Sequence, residues 1–335
     1  MRITGKLVDR HSIGSKQFTK PGDGLLSIRA TNLDPALRVR ALSLSRLVAK
    51  ARNYLALTKP RVMSLVVFTA VVTLVLTPGH VAPIVGVATI VCITIGAGAA
   101  GALNMWYDAD VDALMTRTAA RPIPVGRVSA EGALAFGLVM AAISVLALGA
   151  ITNIAAAGLL AFTIFFYVAV YTVWLKRSTP QSIVIGGAAG ASPPVIAWIA
   201  VTGQLGLEPL LLFLIVVFWT PPHFWALSLN RASDYRRARI PALPAVSGQG
   251  ETTRQILIYT FLLVPISLLP WLFGFAAAFY AVVAVTSGTT MLVLALRLRR
   301  GGIARREAAN RLFAFSICYV ILLFGALLVE KVVFT

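Results

Sequence analysis

Charge is the scarcest commodity in this chain: Asp, Glu, Lys and Arg make up 13% of 335 residues, about half the share of an ordinary soluble domain. That shortage, with 58% hydrophobic residues and a mean hydropathy of +0.85, excludes a soluble globular protein. The apolar runs are continuous and lack period-two alternation, which excludes a transmembrane barrel and leaves helices that satisfy their own backbone hydrogen bonds in lipid. Cysteine is almost missing. Cys92 and Cys318 both fall inside apolar runs without disulfide or metal spacing, so they read as packing residues. The first 50 residues contain no run long enough for a signal peptide.

Acids are rare as well, 12 against 30 basic residues. A net charge of +18 invites a nucleic-acid reading, but the positions of the cations argue for membrane topology instead. Nine runs, near 62–77, 83–103, 131–149, 154–175, 182–201, 209–229, 255–274, 277–296 and 311–329, predict nine transmembrane helices in an all-α bundle. All but one of the 30 Lys and Arg lie before the first run or in alternate connections, while the other connections carry none and Lys331 stands alone at the far end. The positive-inside rule therefore puts the N-terminus, and the end of the bundle that bears the polar motifs, in the cytoplasm or an organellar equivalent.

Residues 1–55 form a different material, basic and polar, with Asp9, Asp23 and Asp34 as the acids of the first 50 positions. They predict a flexible cytoplasmic tail attracted to anionic headgroups, with a mitochondrial transit peptide as the alternative. Residues 56–335 are read as the intramembrane domain.

Because acids are so few, their grouping is informative. Asn104, Asp108 and Asp112 are spaced by four and share one face of a helix, whereas Asp110 points away. Such a face suits Mg²⁺, which takes one or two carboxylates and fills its shell with water and substrate phosphates. Arg117 and Arg121 follow within a short loop. The bland alternative is that these guanidiniums merely pair with the aspartates. A second polar group, His223 through Asn230 to Asp234, lies at the same end of the bundle. Two acid-bearing loops over an apolar bundle predict a cytoplasm-facing cavity for an amphiphilic substrate.

The motifs are specific in combination: Asn104 with Asp108-x-Asp110-x-Asp112, Arg117-Thr118-x-x-Arg121-Pro122, Tyr171-Thr172-x-x-Leu175-Lys176-Arg177-x-Thr179-Pro180-Gln181, Gly186-Gly187-Ala188-Ala189-Gly190-x-x-Pro193-Pro194, Pro221-Pro222-His223-Phe224-Trp225-Ala226-Leu227, and Asp234-Tyr235 with Ile240-Pro241-x-Leu243-Pro244. In this order they resemble the intramembrane prenyltransferases of the UbiA type, and within them the branch that farnesylates heme. The resemblance runs from about Leu57 to the C-terminus. It implies transfer of a farnesyl group from farnesyl diphosphate to a vinyl group of heme b, with water added, to give heme O for heme-copper oxidases, in a bacterial inner membrane or alternatively a mitochondrial one. It implies Asn104, Asp108, Asp112 and Asp234 as Mg²⁺ ligands, with Asp108, Asp112, Asp234 and His223 as the catalytic set. Arg117, Arg121, Lys176 and Arg236 are implied to hold phosphate oxygens.

Several assignments stay open at this level. His223 can ligate heme iron, donate a proton or bond a neighbouring helix. Tyr107, Trp219, Phe224 and Trp225 can line the farnesyl cavity or pack. Lys176 and Arg177 can be topological anchors, and Asp110 a supporting or solvated residue. Gly186, Gly187 and Gly190 read as close helix packing, and the two Pro-Pro pairs as pocket markers. Ala238 stands where quinone prenyltransferases carry a second Asp, which favours heme over a quinone precursor as acceptor. Arg239 occupies a position expected to be Gly or Asn, and Asn230 one expected to be apolar. A transporter would place charges near the midplane, and this chain keeps them at helix ends. Whether a heme hydroxylase works beside the protein stays open.

Overall fold

The computed structural model describes residues 35–79, 81–302 and 305–333, with side chains from residue 43 onward. The chain divides after Ala51, and Arg52–Thr335 forms one compact unit to which the following applies. Most of the expected tail, residues 1–34, lies outside the described residues, and its last part belongs to helix α1, Pro35–Leu57.

The remaining helices are α2 (Pro60–Leu76), α3 (Pro83–Tyr107), α4 (Ala109–Leu114), α5 (Ala130–Ile151), α6 (Ile154–Ser178), α7 (Ser182–Thr202), α8 (Leu207–Leu229), α9 (Ala232–Arg237), α10 (Leu243–Val246), α11 (Gly248–Leu272), α12 (Ala278–Arg300) and α13 (Arg305–Val333). No strand occurs among the described residues. Eight helices are long and apolar enough to cross a membrane, so the protein is an integral, multi-pass membrane protein. The first expected run, 62–77, became α2, whose 17 residues reach that length only when joined to Ser43–Leu57.

Local chemistry explains the boundaries. Pro60 and Pro83 open α2 and α3 at the first turn, where the missing N–H costs nothing. Ser129 and Asn153 cap α5 and α6 by accepting from the amides of Gly132 and Ala156, and Gly203, at φ 72°, ends α7 in the left-handed conformation. Within α6 the stretch Phe166–Leu175 is π-helical, and Thr172 donates to the carbonyl five residues back, at Tyr167. Such an expansion re-aims the side chains that follow.

α7 is the central helix. Some 67% of its apolar window is buried against 17% for α5 and α6, and this explains its small residues. A Cβ on Gly186 would stand 2.2 Å from the Tyr171 ring and one on Gly187 3.1 Å from Thr220, whereas at Gly190 it would meet open space. Packing is thus the role of the first two glycines only. One apolar cluster joins α2, α3, α6 and α7, and a second joins α8, α11, α12 and α13.

At the end of the bundle opposite the aspartates, buried Glu330 of α13 accepts from the amides of Ala277 and Tyr280, each at 2.7 Å, and so caps α12 from another helix. The Tyr280 and Tyr319 hydroxyls both donate to Ser267 of α11. In hydrocarbon those amides have no water to turn to. Glu330→Ala is expected to destabilise the fold by about 1–3 kcal/mol per orphaned donor, read as a lower midpoint of thermal unfolding in detergent, with Glu330→Gln intermediate.

Candidate active site

The α3 helix runs into α4 with one hinge residue, Asp108. The amide of Asp108 bonds the Asn104 carbonyl at 3.0 Å and that of Asp112 bonds the Asp108 carbonyl at 2.7 Å. The four-residue spacing therefore holds through the break, and Asn104, Asp108 and Asp112, all buried, share one face as expected.

Asn104 is oriented from two sides. Its Nδ2 donates to Asp108 Oδ2 at 2.8 Å and to Thr172 Oγ1, in the π-helical stretch of α6, at 3.1 Å. This commits the amide and turns Asn104 Oδ1 toward Lys59, whose ammonium donates to it. Lys176 donates to Asp108 Oδ2, and Arg121 to Asp112 Oδ2 at 2.6 Å. Lys59 is within electrostatic reach of Asp108, Asp112, Arg121 and Lys176. Two carboxylates thus face four basic side chains, with Arg177 3.8 Å from Asp108 Oδ1; burial and then the neighbouring Arg121 and Lys176 lower the Lys59 pKa to about 7, so the cluster favours an incoming anion. Sequence reasoning read Lys59 as a topological cation only, because it is remote from the motif; its left-handed backbone, φ 52°, is the sort of strain that gathers at functional sites.

Asp110 points outward, as the helical spacing predicts. Arg177 grips it with two bonds of 2.8 and 2.9 Å, and these hold its carboxyl below the usual range. The Arg177 guanidinium also lies 4.6 Å above the Tyr107 ring. That contact covers the ring face expected to line a farnesyl cavity.

The second loop meets the first by direct contact. Thr116 donates to Asp234 Oδ1 at 3.0 Å, Arg237 pairs with the same oxygen and donates to the Leu114 carbonyl, and Val111 and Met115 pack on Tyr235, Ala238 and Ile240. Arg117 lies in the electrostatic field of Asp112 and Arg121 from its own loop and of Tyr235 and Arg231 from the other. Desolvation is the largest influence on it and lowers its pKa; desolvation also raises that of Tyr235. No hydrogen bond or ion pair engages Arg117 among the described residues. Arg236 is exposed.

Two expectations need correction in detail. Asp234 is not gathered with Asp108 and Asp112 about one point: among the described residues no three His, Cys, Asp or Glu side chains stand as a metal-ligand group, since Arg237 and Arg121 hold Asp234 and Asp112 in separate ion pairs. Trp225 does not line a chamber but is 1% exposed, packed edge-on against Tyr259 at 5.4 Å. Asn230, where an apolar residue was expected, donates to Asn310 at 2.8 Å and joins α8 to α13.

Whether the aspartate face fits Mg²⁺ can be read from Asp108. Its Oδ1 is buried and accepts no hydrogen bond, with only the Arg177 guanidinium near it, at 3.8 Å, so a lone pair stays open to a metal ion, and Asn104 Oδ1 and the Asp112 carboxylate supply further hard oxygen donors. The donor set fits.

An apolar cavity of about 70 Å³ opens between α2, α3, α6 and α7. Ala100, one turn before Asn104, lines it together with Gly96, Met63, Leu160, Gly190 and Ile196. Tyr167, also on its wall, is within electrostatic reach of Asp108 and Arg121, so apolar space and charged face adjoin.

His223 of α8 is clasped by α13, its Nδ1 2.6 Å from Ser316 Oγ. Arg239, the unexpected residue after α9, is at φ 54°, in the left-handed site of a helix end whose Ile240 amide bonds the Tyr235 carbonyl. Gly or Asn suits that site, and Arg239→Gly is expected to raise stability by about 1 kcal/mol, measured by thermal unfolding.

Residues 65–327 match the UbiA prenyltransferase family. The protoheme IX farnesyltransferase of Azorhizobium caulinodans is 58% identical over 284 residues, 84% of this chain and 92% of that protein. Those of Parvibaculum lavamentivorans and Brucella suis are 54% and 55% identical, each over 85% of this chain and at least 90% of their own. Among solved structures, digeranylgeranylglyceryl phosphate synthase superposes with a TM-score of 0.70 at 15% identity, over 84% of this chain and 99% of that one. A UbiA homolog of Archaeoglobus fulgidus bound to GPP and Mg²⁺ does so with 0.55 at 16%, over 82% and 99%. The structural likenesses speak to the fold. With a sequence match across most of its length, the chain belongs to the UbiA prenyltransferase family.

Proposed function

We propose that the protein transfers the farnesyl group of farnesyl diphosphate to a vinyl group of heme b, with addition of water, to give heme O. One observation carries the reading: a buried Asn104, Asp108 and Asp112 face, surrounded by basic side chains, beside an apolar cavity. Such a site is electrostatically incomplete until an anion arrives, and a hydrocarbon tail has space next to it. The names of the bacterial relatives supply the acceptor.

In this reading Asn104, Asp108 and Asp112 would hold Mg²⁺, which would supply charge neutralisation to the leaving diphosphate. Lys176 and Arg121 turn from carboxylates, Lys59 from the Asn104 amide oxygen, and with Arg117 they meet phosphate oxygens, so the charge that develops as the C1–O bond breaks finds donors already in place. Asp234 joins only by exchanging Arg237. Thr172 keeps Asn104 Oδ1 aimed at the headgroup. The diphosphate departs with the bonding electron pair, the vinyl carbon attacks the allylic C1, and water adds to the cation left on the vinyl group with loss of a proton. The N-terminus is assigned to the cytoplasmic side of a bacterial inner membrane, from the distribution of Lys and Arg.

Membranes containing the protein, given heme b, Mg²⁺ and farnesyl diphosphate with a quinone precursor as competing acceptor, are expected to yield a heme heavier by one farnesyl group and one hydroxyl. A prenylated quinone, or no product, overturns the reading.

A further inference from the structure

The clasp around His223 uses every part of the ring except one nitrogen. Trp219, one turn earlier on α8, stacks on one face with centroids 4.3 Å apart, and Phe313 of α13 stacks at 4.8 Å. Nδ1 lies 2.6 Å from Ser316 Oγ. Ser316 is itself fixed: its hydroxyl donates to the Phe313 carbonyl at 2.6 Å, and its carbonyl accepts from Trp219 Nε1 at 2.6 Å. A serine has one hydroxyl proton. Spent on Phe313, it leaves Ser316 Oγ as acceptor, so Nδ1 carries the imidazole proton and Nε2 keeps its lone pair. No described residue bonds Nε2, and the side chain is only partly buried.

Stacked neighbours prevent a macrocycle from lying on the ring, so approach is edge-on through Nε2, the direction of axial ligation. A ligating histidine nearly always donates its other N–H to a partner that fixes tautomer and orientation; here that partner is built before any metal arrives.

Resting on the heme reading above, we propose that His223 Nε2 is an axial ligand to the iron of the acceptor heme, and that Ser316 is the positioning residue that holds it in the competent tautomer. Ligation fixes the distance of the macrocycle from α8 and its tilt.

The test is binding, separate from turnover. The full chain in nanodiscs is titrated with ferric heme b and with iron-free protoporphyrin IX, followed by absorbance and magnetic circular dichroism. The wild type is expected to show a histidine-ligated spectrum and to prefer heme over protoporphyrin at least tenfold. His223→Ala loses both the spectrum and the preference, and His223→Gly recovers the spectrum with added imidazole. Ser316→Ala weakens heme about 10–100-fold while leaving protoporphyrin unchanged, and Ser316→Thr restores it. Equal affinity for the two porphyrins in the wild type, or an unchanged heme spectrum in His223→Ala, overturns the inference. If heme is ligated through His223 yet never prenylated, the heme reading fails as a function and the site stands. Thermal unfolding of each variant separates loss of ligation from loss of fold.

Discussion

Asp108→Asn is expected to lower farnesyl transfer by roughly 10²–10³-fold, the scale of removing one preorganised electrostatic group from a site where charge develops, while Asp110→Asn, two residues away, changes it by no more than about fivefold. The two carboxylates differ in where they point. Asp108 is fully buried, bonded by Asn104 and Lys176 through Oδ2, while its Oδ1 accepts no hydrogen bond and has Arg177 3.8 Å away. Asp110 is exposed and paired with Arg177, and exposed pairs are worth at most about 1 kcal/mol. The asparagine keeps the shape of Asp108 and removes its charge, so a folded but slow enzyme is the expected result. Initial rates of product formation for both variants, with expression and unfolding checked, decide between this account and a purely structural role, in which the two would fall together.

The second large effect concerns a residue that never meets substrate. Gly186→Ala would place a Cβ 2.2 Å from Tyr171 Cδ2 and 2.8 Å from Cγ, and relief by rotation of so large a ring is unavailable in a packed interior. Overpacking typically costs about 1–3 kcal/mol. Moving Tyr171 also disturbs Thr172, whose hydroxyl accepts from Asn104, so activity falls beyond what the loss of stability explains. Gly158→Ala is the control: a Cβ there meets nothing within 4 Å, the residue lies outside the cavity wall, and the substitution is expected to leave unfolding midpoint and rate close to wild type. Equal effects of the two substitutions would contradict the packing argument.

These contrasts also show how much of the molecule was legible beforehand. Helix count and order followed from apolar runs, because lipid leaves a backbone so few options. The Asn104, Asp108 and Asp112 face followed from a spacing of four, and Asp110 pointed outward for the same reason. What the sequence concealed was partnership across the bundle. Lys59, 45 residues from Asn104, lies in a short break that local pattern treats as a helix start. Thr172 acts through a π-helical segment that shifts every later side chain, and no 3.6-residue period announces it. Residue type leaves Tyr107 and Trp225 open between cavity lining and packing. Tyr107 is covered by Arg177 and Trp225 is buried against Tyr259, because aromatic character alone does not say which way a ring faces. Arg239 was flagged as an exception from motif expectation, and its φ of 54° supplies the reason why Gly or Asn would be more comfortable there.

The central claim is that the Asn104, Asp108 and Asp112 face trades its cations for a metal-bound diphosphate. Affinity for farnesyl diphosphate, measured in nanodiscs across a Mg²⁺ titration for wild type and Asp108→Asn, tests it most directly. The account predicts wild-type binding that tightens at least tenfold as Mg²⁺ is added, and binding by Asp108→Asn that stays weak and flat. The same Mg²⁺ dependence in both proteins would contradict it.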